Sequence, residues 1–295
     1  MPITCTMTGM VLTSMPVGEY DRRITVLTKE RGKITAFARG ARRQGSMLAA
    51  STGAFAFGQF EVYEGRSSYT LVRAEISNYF RDLLADFDSV YYGFYFLEIA
   101  DYYTRENGDE LMMLKLLYQS MRALESKAIP NRLVRRIYEL KAMVINGEYP
   151  NVFSCVSCGK REHLVSFSES RRGVLCADCE SAQKGGNGAA NGGASMRRHN
   201  DGAKKSGALP QKGDILPLEP STLYTLQYII STPIEKLYTF TVSDQVAQQL
   251  ENIIERQRQR AMDRSFRSLE VLEENLDFAD GNRILDKRVG KDYSE

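Results

Sequence analysis

Two Cys-x-x-Cys pairs, CVSC and CADC, are the feature that most restricts how this chain can fold. They place four of its five cysteines between positions 155 and 179, with 17 residues between the pairs. Zinc prefers four soft ligands in a tetrahedron, and each pair can supply two thiolates from one tight turn. Cys155, Cys158, Cys176 and Cys179 are therefore predicted to hold one structural Zn²⁺ ion, since four protein ligands leave no position for water or substrate.

Other interpretations of this cysteine cluster are weaker. A redox disulfide motif needs only one pair. His163 lies between the pairs and could replace a thiolate, but with four cysteines available it is better explained as a surface residue of a hairpin. The opening residues, MPITCTMTGM, show neither the basic leader nor the apolar core of a signal peptide. We therefore expect a cytoplasmic, nucleoid-associated protein whose cysteines are reduced.

The first 80 residues predict β-strands. Short runs rich in Thr, Val, Ile, Phe and Tyr are separated by turn formers such as Pro16-Val17-Gly18 and Glu64-Gly65. Five strands with no helical pattern between them predict a small barrel, most economically a five-stranded OB-fold. An SH3-like barrel or a small sandwich remains open at this point.

From about Phe80 the apolar residues recur at i, i+3, i+4 and i+7, which is typical of amphipathic helices. The four-cysteine segment interrupts this helical region, and a stretch rich in Gly, Ala and Asn follows it and predicts a flexible insertion. The predicted class is α+β. The predicted domains are an OB-fold at 1–80, the first part of a helical domain at 81–150, a zinc-binding module at 151–181, the insertion at 182–214, the second part of the helical domain at 215–276 and a charged tail at 277–295. No stretch approaches the roughly 20 apolar residues that span a bilayer.

The start of the chain is locally basic, although the whole chain carries a net charge of only +2. Residues 1–50 contain eight basic and three acidic side chains. In ITAFARGARR, a turn at the glycine would present Arg39, Arg42 and Arg43 together. Such a group can follow a phosphate backbone without reading bases. An ordinary solvated surface fits the same residues, because strand alternation alone does not place them on one face.

The sequence offers little for catalysis. It has two histidines, and one of them, His199, falls in the predicted insertion, so a histidine-based triad is disfavoured. The glycine-containing segment 40–46 lacks the lysine of a phosphate-binding loop. We therefore expect a protein that acts by binding, without nucleotide hydrolysis.

Several motifs together resemble a known family. The basic segment ending in ARGARR is followed by YELKAMVINGEYPNVFSCVSCG and then by GVLCADC. In this order they resemble the RecO family of bacterial DNA repair and recombination proteins, over nearly the whole chain. The resemblance implies an OB-fold and a helical domain with an inserted zinc-binding module. It also implies a mediator of the RecF pathway that binds single- and double-stranded DNA, anneals complementary strands and, with its partner RecR, helps to load RecA onto DNA coated by single-stranded DNA-binding protein.

The resemblance also implies roles for particular basic residues. The implied DNA contacts are Arg22, Arg23, Lys33, Arg39, Arg42 and Arg43. The family docks the acidic tail of single-stranded DNA-binding protein in its helical domain, and the matching helix here carries Arg132, Arg135 and Arg136. A plain amphipathic helix is the alternative for that segment. The competing function is a zinc-ribbon adaptor that joins a transcription or translation assembly through protein contacts.

Overall fold

The structure, a computed structural model, describes residues 4–66, 68–185 and 214–274 of the 295-residue chain. Nearly all of the predicted insertion and the whole predicted charged tail lie outside the described residues, as does His199. The described residues form two compact units, one from those within 4–146, 233–241 and 263–274 and the other from those within 147–185, 214–232 and 242–262. These units cut across the domain boundaries predicted from the sequence, which remain a prediction.

The first unit begins with a closed five-stranded barrel. Its strands are β1 (Thr4–Val17), β2 (Asp21–Thr28), β3 (Gly32–Ala38), β4 (Phe57–Glu64) and β5 (Tyr69–Asn78). They close in the order β1-β2-β3-β5-β4, with β3 and β5 parallel and the other pairs antiparallel. This confirms the predicted OB-type barrel, because a sandwich would have left two separate sheets.

The core of the barrel follows the two-residue period of its strands. Ile24 and Val26 of β2 and Ile34 of β3 are fully buried in one apolar cluster, together with Phe60 of β4. Successive side chains of a strand point to opposite faces, so the residues between them lie outside the barrel. The alternation read from the sequence therefore selects the inner face of these strands.

Helices complete the first unit. They are α1 (Leu48–Ser51), α2 (Arg81–Ala85), α3 (Phe87–Tyr103), α4 (Leu111–Ser126) and α5 (Asn131–Ile145), with a short 3₁₀ helix at Ile234–Lys236. The expectation that no helix interrupts the strands was wrong for α1, which has only four residues. Such a helix spans about one turn and leaves no periodic apolar pattern in a sequence.

Aromatic side chains form much of the helical core of this unit. The rings of Phe96 in α3 and Tyr138 in α5 stack with centroids 4.2 Å apart, and the Tyr138 hydroxyl donates to the carbonyl of Phe96 at 2.8 Å. Tyr92 and Tyr95 are also buried. Aromatic side chains of α3 thus contribute to the core of this unit.

The second unit combines a small sheet with three helices. Its strands β6 (Leu164–Ser168), β7 (Gly173–Cys176) and β8 (Ile215–Pro217) are ordered β7-β6-β8. Its helices are α6 (Ala177–Gly185), α7 (Pro220–Ser231) and α8 (Asp244–Ala261). Pro220 occupies the first turn of α7, where its missing N–H costs nothing, and the Ser243 hydroxyl caps α8 by accepting from the amide of Val246. None of the helices described in either unit has the length and apolar character needed to cross a membrane.

Candidate nucleic-acid interface and metal centre

Five arginines lie at one end of the barrel, at the start of β2 next to the β1–β2 turn and on the segment that follows β3. Two hydrogen bonds tie these segments together: the Arg42 amide donates to the Tyr20 carbonyl at 2.8 Å, and the Gly40 amide donates to Oδ1 of Asp21 at 2.7 Å. The five are Arg22, Arg23, Arg39, Arg42 and Arg43, and they are called the loop face below.

The ARGARR segment is shaped by a residue that points inward. β3 ends at Ala38, and Gly40 then turns the chain with a φ of +67°, at the glycine where the sequence predicts a turn. This left-handed conformation favours glycine because it has no Cβ. Ala41 is completely buried in the barrel core, which leaves Arg39, Arg42 and Arg43 exposed around it.

The guanidinium groups of the loop face have no carboxylate partner within the part of the chain that the structure describes. Arg42 donates to the Gly18 carbonyl at 3.2 Å, and the Arg43 guanidinium lies 5.2 Å from the centroid of the Tyr20 ring. Cations that no protein carboxylate neutralises are available to bind phosphate groups.

Arg22 differs from the other members of the loop face because it also supports the fold. It is half-buried and donates to the Ala49 carbonyl at 3.0 Å and to the Thr52 hydroxyl at 3.1 Å. It therefore fixes α1 and the following turn against the barrel. Its loss would disturb this end of the molecule as well as remove a charge.

Lys33 is not part of the loop face. It lies at the start of β3, five residues before Ala38, which at about 3.3 Å per residue places it roughly 16 Å away along the strand. Its ammonium group donates to the Asp101 carbonyl at 2.6 Å and to the Asp101 carboxylate at 3.1 Å. The sequence predicted Lys33 as a DNA contact, but the structure separates it from the arginines and pairs it with an acid.

A cleft of about 700 Å³ adjoins the loop face within the same unit. Arg22 and Arg42 line it together with Arg264, a residue that the sequence did not single out. Arg264 is 55% exposed and lies 3.9 Å from the carboxylate of Asp101. Glu98 and Asp101 also line the cleft, so it is mixed in charge.

The predicted partner-binding residues on α5 separate into two kinds. Arg132 is exposed, whereas Arg135 and Arg136 are only 3% and 5% exposed. The carboxylate of Glu139, which is fully buried, accepts from Arg135 at 2.9 Å and from Arg136 at 2.8 Å. A partner at the surface of this helix therefore meets Arg132 and not the other two. Partner binding by this helix remains a prediction.

The four cysteines of the second unit converge on one point. Their sulphur atoms all lie within 4.8 Å of one another, and Sγ of Cys158 is 3.6 Å from Sγ of Cys176. Metal–sulphur bonds of about 2.3 Å in a tetrahedron place the sulphurs about 3.8 Å apart. This group can therefore hold a metal ion with four thiolates and no open position. His163, at the surface, does not belong to it.

Local backbone structure explains why these cysteines meet. The Gly159 amide donates to the Cys155 carbonyl at 2.8 Å, and Gly159 turns the chain with a φ of +79°. The other pair lies where β7 ends at Cys176 and α6 begins. The β6–β7 hairpin, with its turn at Glu169–Arg172, returns the chain between the pairs, as the sequence predicts.

The charges at this centre favour a bound cation. Burial opposes ionisation of the Cys155 thiol, but the amides of Cys176, Cys158 and Ser157 stabilise its thiolate and bring its pKa to about 6. The Ser157 hydroxyl acts in the same direction on Cys179, yet the neighbouring thiols of Cys158, Cys176 and Cys155, with burial, raise its pKa to about 12. Four thiolates so close together repel one another, and a metal ion removes that repulsion.

The apolar cluster around the cysteines is small. It contains Cys155, Leu175 and Cys176, with partly buried neighbours such as Val156 and Leu164. A core of this size is too small to stabilise a fold alone, so small domains commonly need a metal or disulfides. A metal ion held by all four thiolates would have no open position for chemistry, which is consistent with a structural ion.

The fold and sites define a class of protein: an OB-type barrel with an exposed arginine face, a helical region, and a four-cysteine metal-binding segment. Two models of known protein families match the chain. The chain matches the model "Recombination protein O N terminal" over residues 1–80 and "Recombination protein O C terminal" over residues 84–204.

Relatives agree with these matches. The chain is 34% identical over 172 residues to "DNA repair protein RecO" of Alkaliphilus metalliredigens, covering 58% of this chain and 70% of that protein. It is 26% identical over 265 residues to the protein of that name in Acetivibrio thermocellus, covering 90% and 94%, and 27% identical over 247 residues to that of Clostridium acetobutylicum, covering 83% and 87%. The chain belongs to the RecO family.

Proposed function

We propose that this protein is a recombination mediator that binds single- and double-stranded DNA through the loop face. It anneals complementary strands and helps to load RecA onto DNA coated by single-stranded DNA-binding protein, with RecR as a partner, at the nucleoid. It acts through binding energy, without nucleotide hydrolysis. The observation that carries this proposal is the loop face itself: exposed arginines without carboxylate partners among the described residues, on an OB-type barrel of a RecO family chain.

The loop face suits sequence-independent binding of a nucleic-acid backbone. Guanidinium groups bind phosphate oxygens, and each neutralised phosphate releases condensed counterions, so affinity falls with salt. Arg39, Arg42 and Arg43 are the three members that are exposed on one loop, and of these the Arg42 guanidinium donates to the Gly18 carbonyl of the neighbouring turn. They are therefore the residues whose removal tests binding most directly.

The main experiment measures DNA affinity of Arg39→Ala/Arg42→Ala/Arg43→Ala over a range of salt concentrations. Affinity for a single strand should fall, and the slope of log K against log salt should decrease by about 2, since each lost phosphate contact contributes about 0.7. A matched control is Arg73→Ala/Arg122→Ala/Arg161→Ala, which removes the same charge from exposed positions outside the loop face. An equal decrease in the control would show that net charge, not the loop face, binds DNA.

Annealing distinguishes a mediator from an adaptor. The wild-type protein should accelerate pairing of complementary strands, both bare and coated by single-stranded DNA-binding protein, equally well with and without ATP. The loop-face variant should be slow in both cases. A zinc-ribbon adaptor would show little affinity for bare DNA and no annealing, and that result would refute the proposal.

We also propose zinc as the ion at the four-cysteine centre, in a structural role. Four cysteine sulphurs within 4.8 Å of one another form the ligand set that structural zinc sites use. Protein purified under reducing conditions should contain about one zinc per chain by elemental analysis. A preparation that is folded yet holds no zinc would refute this assignment.

For the tail of single-stranded DNA-binding protein, we propose a contact at Arg132 of α5. Of the three predicted arginines, Arg132 is the exposed one. Arg135 and Arg136 are buried and donate hydrogen bonds to Glu139. Arg132→Ala should weaken binding of an acidic tail peptide in a titration, while Arg122→Ala, an exposed change on α4, should not. Equal binding by both variants would remove this helix from the partner site.

A further inference from the structure

Tyr20 is an exposed aromatic residue at the centre of the loop face. It lies in the turn between β1 and β2, and 44% of its surface is exposed. Its carbonyl accepts a hydrogen bond from the Arg42 amide, and the guanidinium of Arg43 lies 5.2 Å from the centroid of its ring. The ring is therefore attached to both segments of the loop face without being part of the barrel core.

Other apolar side chains at this end of the barrel are also exposed. Met15 is 52% exposed and lies 3.6 Å from Arg23, Val17 is 39% exposed, and Met47, directly after the basic loop, is 93% exposed. Apolar side chains held in water next to unpaired cations do not stabilise the fold. They mark a surface that contacts something both apolar and anionic.

Unpaired nucleic acid has this combination of properties. Its phosphates are anionic, and its bases offer apolar faces that stack on aromatic rings. In a duplex the bases are stacked on one another, so only the ends and grooves are available to a tyrosine on a turn. A surface that bound only duplex phosphates would need cations alone.

We propose that the ring of Tyr20, supported by Arg43, stacks on an unpaired base while neighbouring arginines bind the flanking phosphates. This contact gives the loop face a preference for single strands over duplex. The inference rests on the proposed function, since it names the kind of DNA that the same face selects. It assigns Tyr20 a base-binding role that charge alone does not provide.

The test compares Tyr20→Ala and Tyr20→Phe with the wild-type protein. The probes are an oligothymidylate, a strand of equal length built from abasic sites, and a duplex. Tyr20→Ala should lower affinity for the oligothymidylate by about 5- to 100-fold, the usual range for loss of one stacked base. Affinity for the abasic strand and the duplex should stay within about twofold, because their phosphate contacts remain. Tyr20→Phe should bind like the wild type, because stacking needs the ring and not the hydroxyl.

Tyr63→Ala is the matched control, since Tyr63 is 39% exposed on β4 and lies outside the loop face. The salt slope of Tyr20→Ala should equal that of the wild type, whereas the triple arginine variant should have a smaller slope. If Tyr20→Ala binds the oligothymidylate normally, or loses affinity equally for all three probes, the stacking role is refuted while the proposed function stands. If the wild-type protein binds none of the probes, the proposed function itself fails.

Discussion

Replacing Glu139 with glutamine should strongly destabilise the first unit, because this carboxylate holds two buried cations. It is fully buried and accepts hydrogen bonds from the Tyr95 hydroxyl at 2.7 Å, from Arg135 at 2.9 Å and from Arg136 at 2.8 Å. Burial alone would lower the pKa of Arg135, but the charge of Glu139 reverses this effect and raises the pKa above its ordinary value. Glu139 therefore stabilises the charged guanidinium of Arg135 in its buried site.

The size of the effect follows from these contacts. In Glu139→Gln the amide keeps one carbonyl oxygen, while its NH₂ group replaces the other acceptor and meets a donor. Breaking a buried ion pair on one side costs about 3–5 kcal/mol, mostly because the remaining charge is left without compensation. In a folded unit of this size, each kcal/mol lost from the free energy of unfolding lowers the melting temperature by about 2–4 °C. The melting temperature of Glu139→Gln should therefore fall by roughly 6–20 °C.

Thermal unfolding followed by circular dichroism and calorimetry measures this decrease. Glu273→Gln is a close control, because Glu273 also pairs with Arg135, at 3.1 Å, but its side chain is 51% exposed. An exposed pair of this kind contributes at most about 1 kcal/mol. If Glu139→Gln melts within 2 °C of the wild type by this assay, Arg135 and Arg136 do not depend on Glu139. Their assignment to the interior of the fold, and not to a partner surface, would then be wrong.

Three further outcomes are expected. Cys158→Ser should lower zinc content and lower the melting temperature of the second unit, as elemental analysis and calorimetry would show, because a three-thiolate site binds the ion less tightly. Gly173→Ala should destabilise the same unit in urea unfolding, since an added Cβ would lie 2.6 Å from the carbonyl oxygen of Asn151; normal stability would mean that this close approach can relax. Lys33→Ala should leave the salt slope of DNA binding unchanged, because Lys33 is paired with Asp101 and lies away from the loop face.

The barrel and the metal centre could be predicted because their signals are local. Strand alternation defines the inner face of β2 and β3 directly, and the spacing within each cysteine pair fixes a tight turn. The turn at the glycine of ARGARR was also predicted from the sequence, but the burial of Ala41 was not. What ends the strand is the left-handed turn at Gly40 and the burial of Ala41, and the latter depends on the closed barrel.

No pattern in the sequence around Tyr20 indicated the proposed base-binding role. The sequence shows one tyrosine among several in a strand-rich region, and most of those aromatics are core. Tyr20 is exposed on the β1–β2 turn, and its relation to Arg43 requires two segments more than 20 residues apart to meet. Only the assembled barrel brings the ring and the guanidinium together.

The arginines show where sequence reading of charge succeeds and where it fails. Arg135 and Arg136 have Glu139 at i+4 and i+3 on the same helix, a spacing that lets one carboxylate satisfy both and that could have predicted their pairing. No acid stands at those spacings after Arg39, Arg42 or Arg43, and these side chains are indeed left exposed. The pairing of Lys33 could not be predicted in this way, because its partner Asp101 lies 68 residues further along the chain. A basic residue is therefore a sound candidate for phosphate binding only when no carboxylate pairs with it in the folded structure. The absence of an acid at nearby sequence positions is not sufficient.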